Sequence, residues 1–250
     1  MFAQMAQVLP LFDDPALDGP TNMGRDEALL QASEVSAALR LYAWSPPTIS
    51  LGCFQRCELL DTLPPELRSL TVVRRQTGGG AILHDREITY CLILDESSPL
   101  AQQSPISLYR AVHECWRATL HAIGVETHLA PENWPLPTPR TGPLFCFEKP
   151  GNTDLLLGDA KLLGSAQRRT AGRVLQHGSL LLERRFAGHP GASLQIVDEP
   201  AISSLRHTFA AHVAALLHLE LSPATWTVEL LAAADAARAR YASDEWTRRR

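Results

Sequence analysis

The sequence predicts an α+β fold, a single domain over residues 1–250 with a largely antiparallel mixed sheet flanked by helices. Three observations carry that expectation. Strand-patterned segments crowd the middle of the chain, and helical periodicity marks its two ends. The strand segments follow one another across short turns instead of alternating regularly with helices. No repeat, low-complexity linker or break in composition divides the chain, so the core is placed at about 20–200 and closing helices at 204–241.

The elements follow in order. Apolar residues at helical spacing (Ala28, Leu29, Ala32, Val35) predict a helix over 23–39, with Thr21 or Asn22 as N-cap. Residues 39–44 alternate as a strand, Ser45-Pro46-Pro47 turns the chain, and 48–53 return. Pro64 and Pro65 open a short helix over 63–70, followed by a strand at 71–75 that ends on Thr77-Gly78-Gly79-Gly80. Residues 88–94 (ITYCLIL) read as a buried strand, 106–123 as a long helix and 125–128 as a short strand. Five prolines make 131–143 a loop leading into Phe145-Cys146-Phe147. Residues 153–157 and 160–164 form a hairpin around Gly158-Asp159, 174–182 are a further strand, and 209–217 and 228–241 are helical.

Hydrophobic residues make up 45% and charged residues 20%, the balance of a globular enzyme. A net charge of -4 disfavours a general nucleic-acid binder, and no stretch has the apolar length of a membrane span. The first twelve residues lack a basic n-region, so a cytoplasmic location is expected. Cys53 and Cys57 have no second Cys or His pair at zinc-site spacing, so no metal site is expected. Of 23 basic residues only Lys149 and Lys161 are lysine. A lysine kept where arginine is the rule is a candidate for chemistry that a guanidinium cannot perform.

Four constellations stand out. Arg74-Arg75 before Gly78, Gly79 and Gly80 offer charge and a backbone that a ligand can approach closely, with His84-Asp85 following. A turn without a ligand fits the glycines equally well on local pattern. Lys161 lies among leucines, where desolvation pushes an ammonium pKa down toward neutrality; a solvated lysine on a hairpin edge is the competing reading. Cys146 between two phenylalanines reads locally as core, yet its place after a proline-rich loop suits a nucleophile. His177-Gly178 pairs a titratable ring with a close-approach position.

Taken together, Asn22-Met23…Asp26-Glu27, Leu39-Arg40-Leu41-Tyr42…Trp44-Ser45-Pro46-Pro47…Ser50-Leu51-Gly52…Gln55, the 74–85 segment, Lys161…Gly164-Ser165-Ala166-Gln167-Arg168 and His177-Gly178-Ser179 resemble the biotin/lipoate protein ligase and octanoyltransferase superfamily. The resemblance covers roughly residues 20–182 and implies the sheet of class II aminoacyl-tRNA synthetase catalytic domains. It implies an acyl site drawn from Arg74, Gly78, Gly79, Gly80, His84, Gly164, Ser165, Ala166, His177 and Gly178, with Cys146 and Lys161 as the catalytic pair. Cys146, fifteen residues before Lys161, looks like the cysteine of the ligase-like octanoyltransferases, which take octanoate from acyl carrier protein. Classic bacterial ligases carry a further C-terminal domain, whereas about two helices follow Ser204 here. The implied acceptors are lipoyl-domain proteins, either the glycine cleavage H protein or a 2-oxoacid dehydrogenase E2, and no cofactor is needed. Gly151-Asn152-Thr153-Asp154 resembles the Asn-Asp pair of the ligases with an extra Thr, which keeps an ATP- and Mg-dependent lipoate–protein ligase open. An amidotransferase moving octanoyl groups between lipoyl domains is the third enzyme reading, and a non-catalytic acyl-binding protein the rival from another class. Arg168, Arg169, Arg173, Arg184 and Arg185 offer a basic face for an acidic carrier protein.

Overall fold

A computed structural model describes residues 8–134, 144–170 and 172–250. In chain order the elements are β1 (Val8–Leu17), α1 (Gly19–Gln31), β2 (Ala37–Trp44), β3 (Thr48–Leu51), a 3-10 turn (Cys57–Thr62), α2 (Pro65–Arg68), β4 (Thr71–Arg74), β5 (Ile82–His84), β6 (Arg86–Asp95), α3 (Pro105–His121) and β7 (His128–Leu129). A second 3-10 turn (Cys146–Glu148) leads into β8 (Leu155–Leu157), β9 (Ala160–Thr170), β10 (Arg173–Glu183), α4 (Glu199–Leu217), β11 (Glu220–Pro223), α5 (Val228–Tyr241) and α6 (Asp244–Thr247).

Eight strands form the main sheet in the order β11-β1-β2-β6-β10-β9-β8-β7, and β4-β3-β5 form a small second sheet. Pairing is antiparallel except for β1 with β2 and β11, and β3 with β4. Side chains alternate along each central strand. Ile88, Tyr90, Leu92 and Leu94 of β6 pack toward α3 and α4, while Cys91 and Ile93 pack toward α1 and α5. Both faces of β6 are covered, which is why its sequence reads as an unbroken apolar run. Trp116 of α3 stacks on Phe209 of α4 at 3.8 Å, locking one helical layer.

The mixed, mostly antiparallel sheet with flanking helices is as expected, and several boundaries are not. The first helix runs over 19–31, not 23–39: Asp18 is its N-cap, accepting from Thr21 N, and Pro20 sits in the first turn. Ala32 leaves the helix with an extended backbone, so Val35 is outside it. Asn22, one of two expected caps, is inside the helix and bonds Leu17 O and Ala43 O. β9 continues to Thr170, beyond the expected end at Gly164, and the strand expected at 125–128 lies at His128–Leu129. β1, β5 and β11 were not foreseen. β1 carries Pro10, Asp13, Asp14 and Pro15, and its buried carboxylate is compensated by residues distant in sequence. Of the proline-rich loop, residues 135–143 lie outside the described residues. No helix among the described residues is long and apolar enough to cross a membrane.

Candidate active site

A buried charge network forms the base of the site. The Arg40 guanidinium, fully enclosed in β2, donates to Asp14 Oδ2 (2.7 Å), Asp26 Oδ1 (2.6 Å) and Asn22 Oδ1 (2.7 Å). Asp26 Oδ2 accepts from Tyr42 OH and lies 3.0 Å from His177 Nδ1; His177 Nε2 lies 2.8 Å from Thr77 Oγ1. Burial opposes ionisation of Asp26, but its contacts with His177 and Arg40 hold the carboxyl below its ordinary value. Asn22, Asp26, Arg40 and Tyr42, scattered in the sequence, thus orient His177.

The second element is the glycine segment. Arg75 donates through Nη2 to Gly78 O (2.8 Å) and Gly80 O (2.7 Å), and through Nη1 to Ser50 O (3.0 Å). Its burial pulls the guanidinium down to about 10, against the field of Cys146. Arg74 is the correction: Arg75, the residue after the end of β4, faces the site and Arg74 does not. Arg74 donates to Gly52 O, Gln55 O and Thr247 O, bracing the turn behind the glycines against the C-terminal segment. His84 stacks on Trp44 at 3.8 Å and spans Ser50 Oγ and Glu87 Oε1, both at 2.8 Å.

Between these groups lies a narrow cleft. Met23, Tyr42, Trp44, Arg75, Ile82, His84, Ala166, His177 and Gly178 line it. The polar atoms of Tyr42, Arg75, His84 and His177 are bonded to protein partners, which leaves carbon surface for a slender apolar ligand.

The two residues expected as a catalytic pair, Cys146 and Lys161, meet beside the glycine segment. Ala81 N donates to Leu144 O and Cys146 N to Ala81 O, both at 2.8 Å, so the glycine segment holds the cysteine backbone directly. Lys161 Nζ donates to Cys146 Sγ (3.1 Å) and pairs with Asp154 Oδ2 (2.9 Å). A Cβ on Gly164 would strike Lys161 Cε and Nζ, so the lysine folds over that glycine. The expectation of a depressed lysine pKa is overturned. Burial lowers it, but the charges of Asp154 and Cys146 outweigh burial and leave Lys161 raised, a firmly held ammonium. Asp154, read in the sequence only as part of an Asn-Asp motif, is its counter-ion. Ser165 turns away from the cleft toward α3, with its hydroxyl between Tyr90 OH and His113 Nε2. His113 had no sequence signal: it is a lone histidine on a helix face.

The five arginines do not make one face. Arg168, Arg169 and Arg173 lie at one end of the β9–β10 hairpin, while Arg184 and Arg185 lie past its other end, where Arg185 pairs with Asp85. No group of three or more metal-ligating side chains occurs among the described residues.

The family model described as the lipoyl protein ligase A/B catalytic domain matches residues 18–225. The octanoyltransferase LipM of Kyrpidia tusciae is 34% identical, with 92% of this chain and 94% of that protein covered. LipM of Staphylococcus aureus is 32% identical (90% and 92%), and that of Moorella thermoacetica 39% (71% and 66%). Among solved structures, a putative lipoate protein ligase from Thermoplasma acidophilum with bound lipoic acid superimposes with a TM-score of 0.78 at 20% identity, covering 98% of this chain and all of that one. That likeness shows the fold. The chain belongs to the lipoyl protein ligase A/B catalytic domain family.

Proposed function

We propose that the chain is an octanoyltransferase of protein lipoylation, carrying octanoate from acyl carrier protein through a Cys146 thioester to a lysine of a lipoyl domain in the cytoplasm. The observation that carries this reading is the 3.1 Å contact between Lys161 Nζ and Cys146 Sγ, with Asp154 keeping the lysine charged. A cation at that distance favours the thiolate, the nucleophilic form. The thiolate attacks the donor thioester carbonyl, with its acyl chain in the cleft. Backbone N–H groups of the glycine segment or of Gly164-Ser165-Ala166 face the developing oxyanion. The carrier thiol leaves as the enzyme thioester forms. The acceptor amine then attacks, Cys146 departs as the leaving group beside Lys161, and the amine's proton passes to the regenerated sulfur or to water. The energy of the donor thioester carries the transfer, so no ATP is consumed. The H protein or an E2 lipoyl domain is the acceptor.

The test is mass spectrometry of the protein mixed with octanoyl-carrier protein. The wild type gains an octanoyl group that Cys146→Ala cannot gain, and a lipoyl domain then removes it without ATP. A requirement for ATP with free octanoate, and full activity of Cys146→Ser, would establish a ligase instead. Loading only from an octanoylated lipoyl domain would establish an amidotransferase.

A further inference from the structure

Helix α3 carries two residues that this mechanism does not use. Arg110 and His113 are three positions apart and share one face of the helix. Arg110 Nη1 donates to Asn152 O (2.9 Å) and Ala130 O (3.2 Å). His113 is fully enclosed, with Nδ1 2.5 Å from Thr153 O and Nε2 2.6 Å from Ser165 Oγ. Burial pushes its imidazole down to about 4 against the pull of Asp154, so at neutral pH the ring carries one proton. A carbonyl only accepts, which puts that proton on Nδ1, and Nε2 accepts from the Ser165 hydroxyl. The direction of the remaining bonds follows. Ser165 Oγ accepts from Tyr90 OH (2.6 Å), whose oxygen accepts from Gln176 Nε2 (2.7 Å).

The two groups that His113 joins are the two sides of the lysine's setting. Thr153 immediately precedes Asp154, whose Oδ2 accepts from Lys161 and from Gly151 N (2.7 Å). Ser165 immediately follows Gly164, over which the lysine side chain folds. We infer that His113 is a positioning residue, which holds the Asp154 carboxylate against Lys161 and thereby fixes the cation that faces Cys146; Arg110 is its second grip on the same loop. The inference rests on the Cys146–Lys161 reading above. Its physical basis is that coulombic support falls with distance, while the desolvation that opposes a buried ammonium does not. A loop free to drift lets Asp154 move toward water, and the lysine's charge weakens with it.

Iodoacetamide alkylation of Cys146, followed by mass spectrometry of its peptide in the full chain across pH, tests this. Asp154→Asn should slow alkylation at pH 7 at least tenfold. His113→Leu should slow it at least threefold and displace the pH profile toward alkaline values. His113→Gln should stay within twofold of wild type, because its amide can donate to Thr153 O and accept from Ser165. In octanoyl transfer, His113→Leu should lower kcat with little change in KM. A folded His113→Leu protein with the wild-type alkylation profile overturns the proposal. If that variant does not fold, Ser165→Ala, which removes the donor to Nε2 together with the acceptor of the Tyr90 hydroxyl, takes its place with the same expected direction, and an unchanged profile overturns the proposal equally. Failure of the thioester reading is distinguishable: the wild type would gain no octanoyl adduct while the alkylation profiles still responded.

Discussion

The cleft wall and the Cys146–Lys161 corner both bury cations, and they compensate them differently. Arg40 in the wall faces two carboxylates, a side-chain amide and a backbone carbonyl, and no member of its network touches the cysteine. Lys161 faces one carboxylate, and its other close polar partners are the sulfur and carbonyl oxygen of Cys146. The wall's charges are consumed in holding shape, whereas the corner leaves part of its charge facing the Cys146 sulfur. Loss of a wall charge should therefore cost stability, and loss of the corner charge should cost rate.

The largest effect expected from breaking that contrast is at the corner. Lys161→Arg keeps a positive charge but brings a broad, permanently protonated fork into space cut to a lysine over Gly164. We expect octanoyl transfer to fall about a thousandfold, at the upper end of the range seen when one preorganised electrostatic donor is lost. The melting temperature should fall only by what overpacking costs, about 1–3 kcal/mol in stability. Single-turnover transfer from octanoyl-carrier protein measures the first and thermal unfolding the second; a fall in stability as large as the fall in rate would erase the distinction drawn here.

The wall gives the converse experiment. Arg40→Leu leaves Asp14 and Asp26 buried without their common partner, and such losses cost about 3–5 kcal/mol. Urea unfolding should show this as a lower midpoint. Cys146 in the fraction that remains folded should still alkylate at the wild-type rate. Slow alkylation there would mean that the two regions are coupled more tightly than their contacts imply.

The unequal legibility of these regions in the sequence has the same origin. The 74–85 glycine segment, the hairpin carrying Lys161 and the strand carrying His177-Gly178 could be placed from pattern and resemblance, because each is local. Arg74 and Arg75 could be assigned to opposite sides of a strand but not to inside and outside, since that depends on which sheet the strand joins. The charge state of Lys161 was misread because its neighbours in sequence are leucines, while its counter-ion arrives from the loop before β8. β1 was invisible because its two prolines and two aspartates deny it a strand pattern, and Arg40, Arg25 and Trp226 meet its buried Asp14 only after folding. His113 was missed for the same reason. A histidine on a helix acquires meaning from the carbonyl and hydroxyl that the fold brings to it.

That histidine also gives the smallest and most specific prediction, the pH dependence of stability. In the unfolded chain its imidazole takes a proton below its ordinary value of 6.5, whereas in the folded protein it resists until about pH 4. Between those values the unfolded state binds more protons, so stability is complete above pH 6.5 and is lost as pH falls toward 4. A shift of that size is worth on the order of 3 kcal/mol. His84 and His189, also lowered by burial, add in the same sense. Asp14, Asp26 and Glu87, lowered on balance by their partners, give up their contribution only at more acid pH, as they protonate below their ordinary range. Unfolding free energy from urea titrations at pH 7.0, 5.5 and 4.5 should therefore fall more steeply in wild type than in His113→Gln, which has no proton to take up. Wild type and His113→Gln share the charged groups that face the ring, Asp154, Lys161 and Arg110, so the difference in slope belongs to the imidazole. Parallel curves would mean that the ring takes up its proton equally in the folded and unfolded states. In that protonated ring Nε2 would have to donate to Ser165, and the direction assigned to the whole hydrogen-bonded chain from Gln176 to Thr153 would be reversed at that serine.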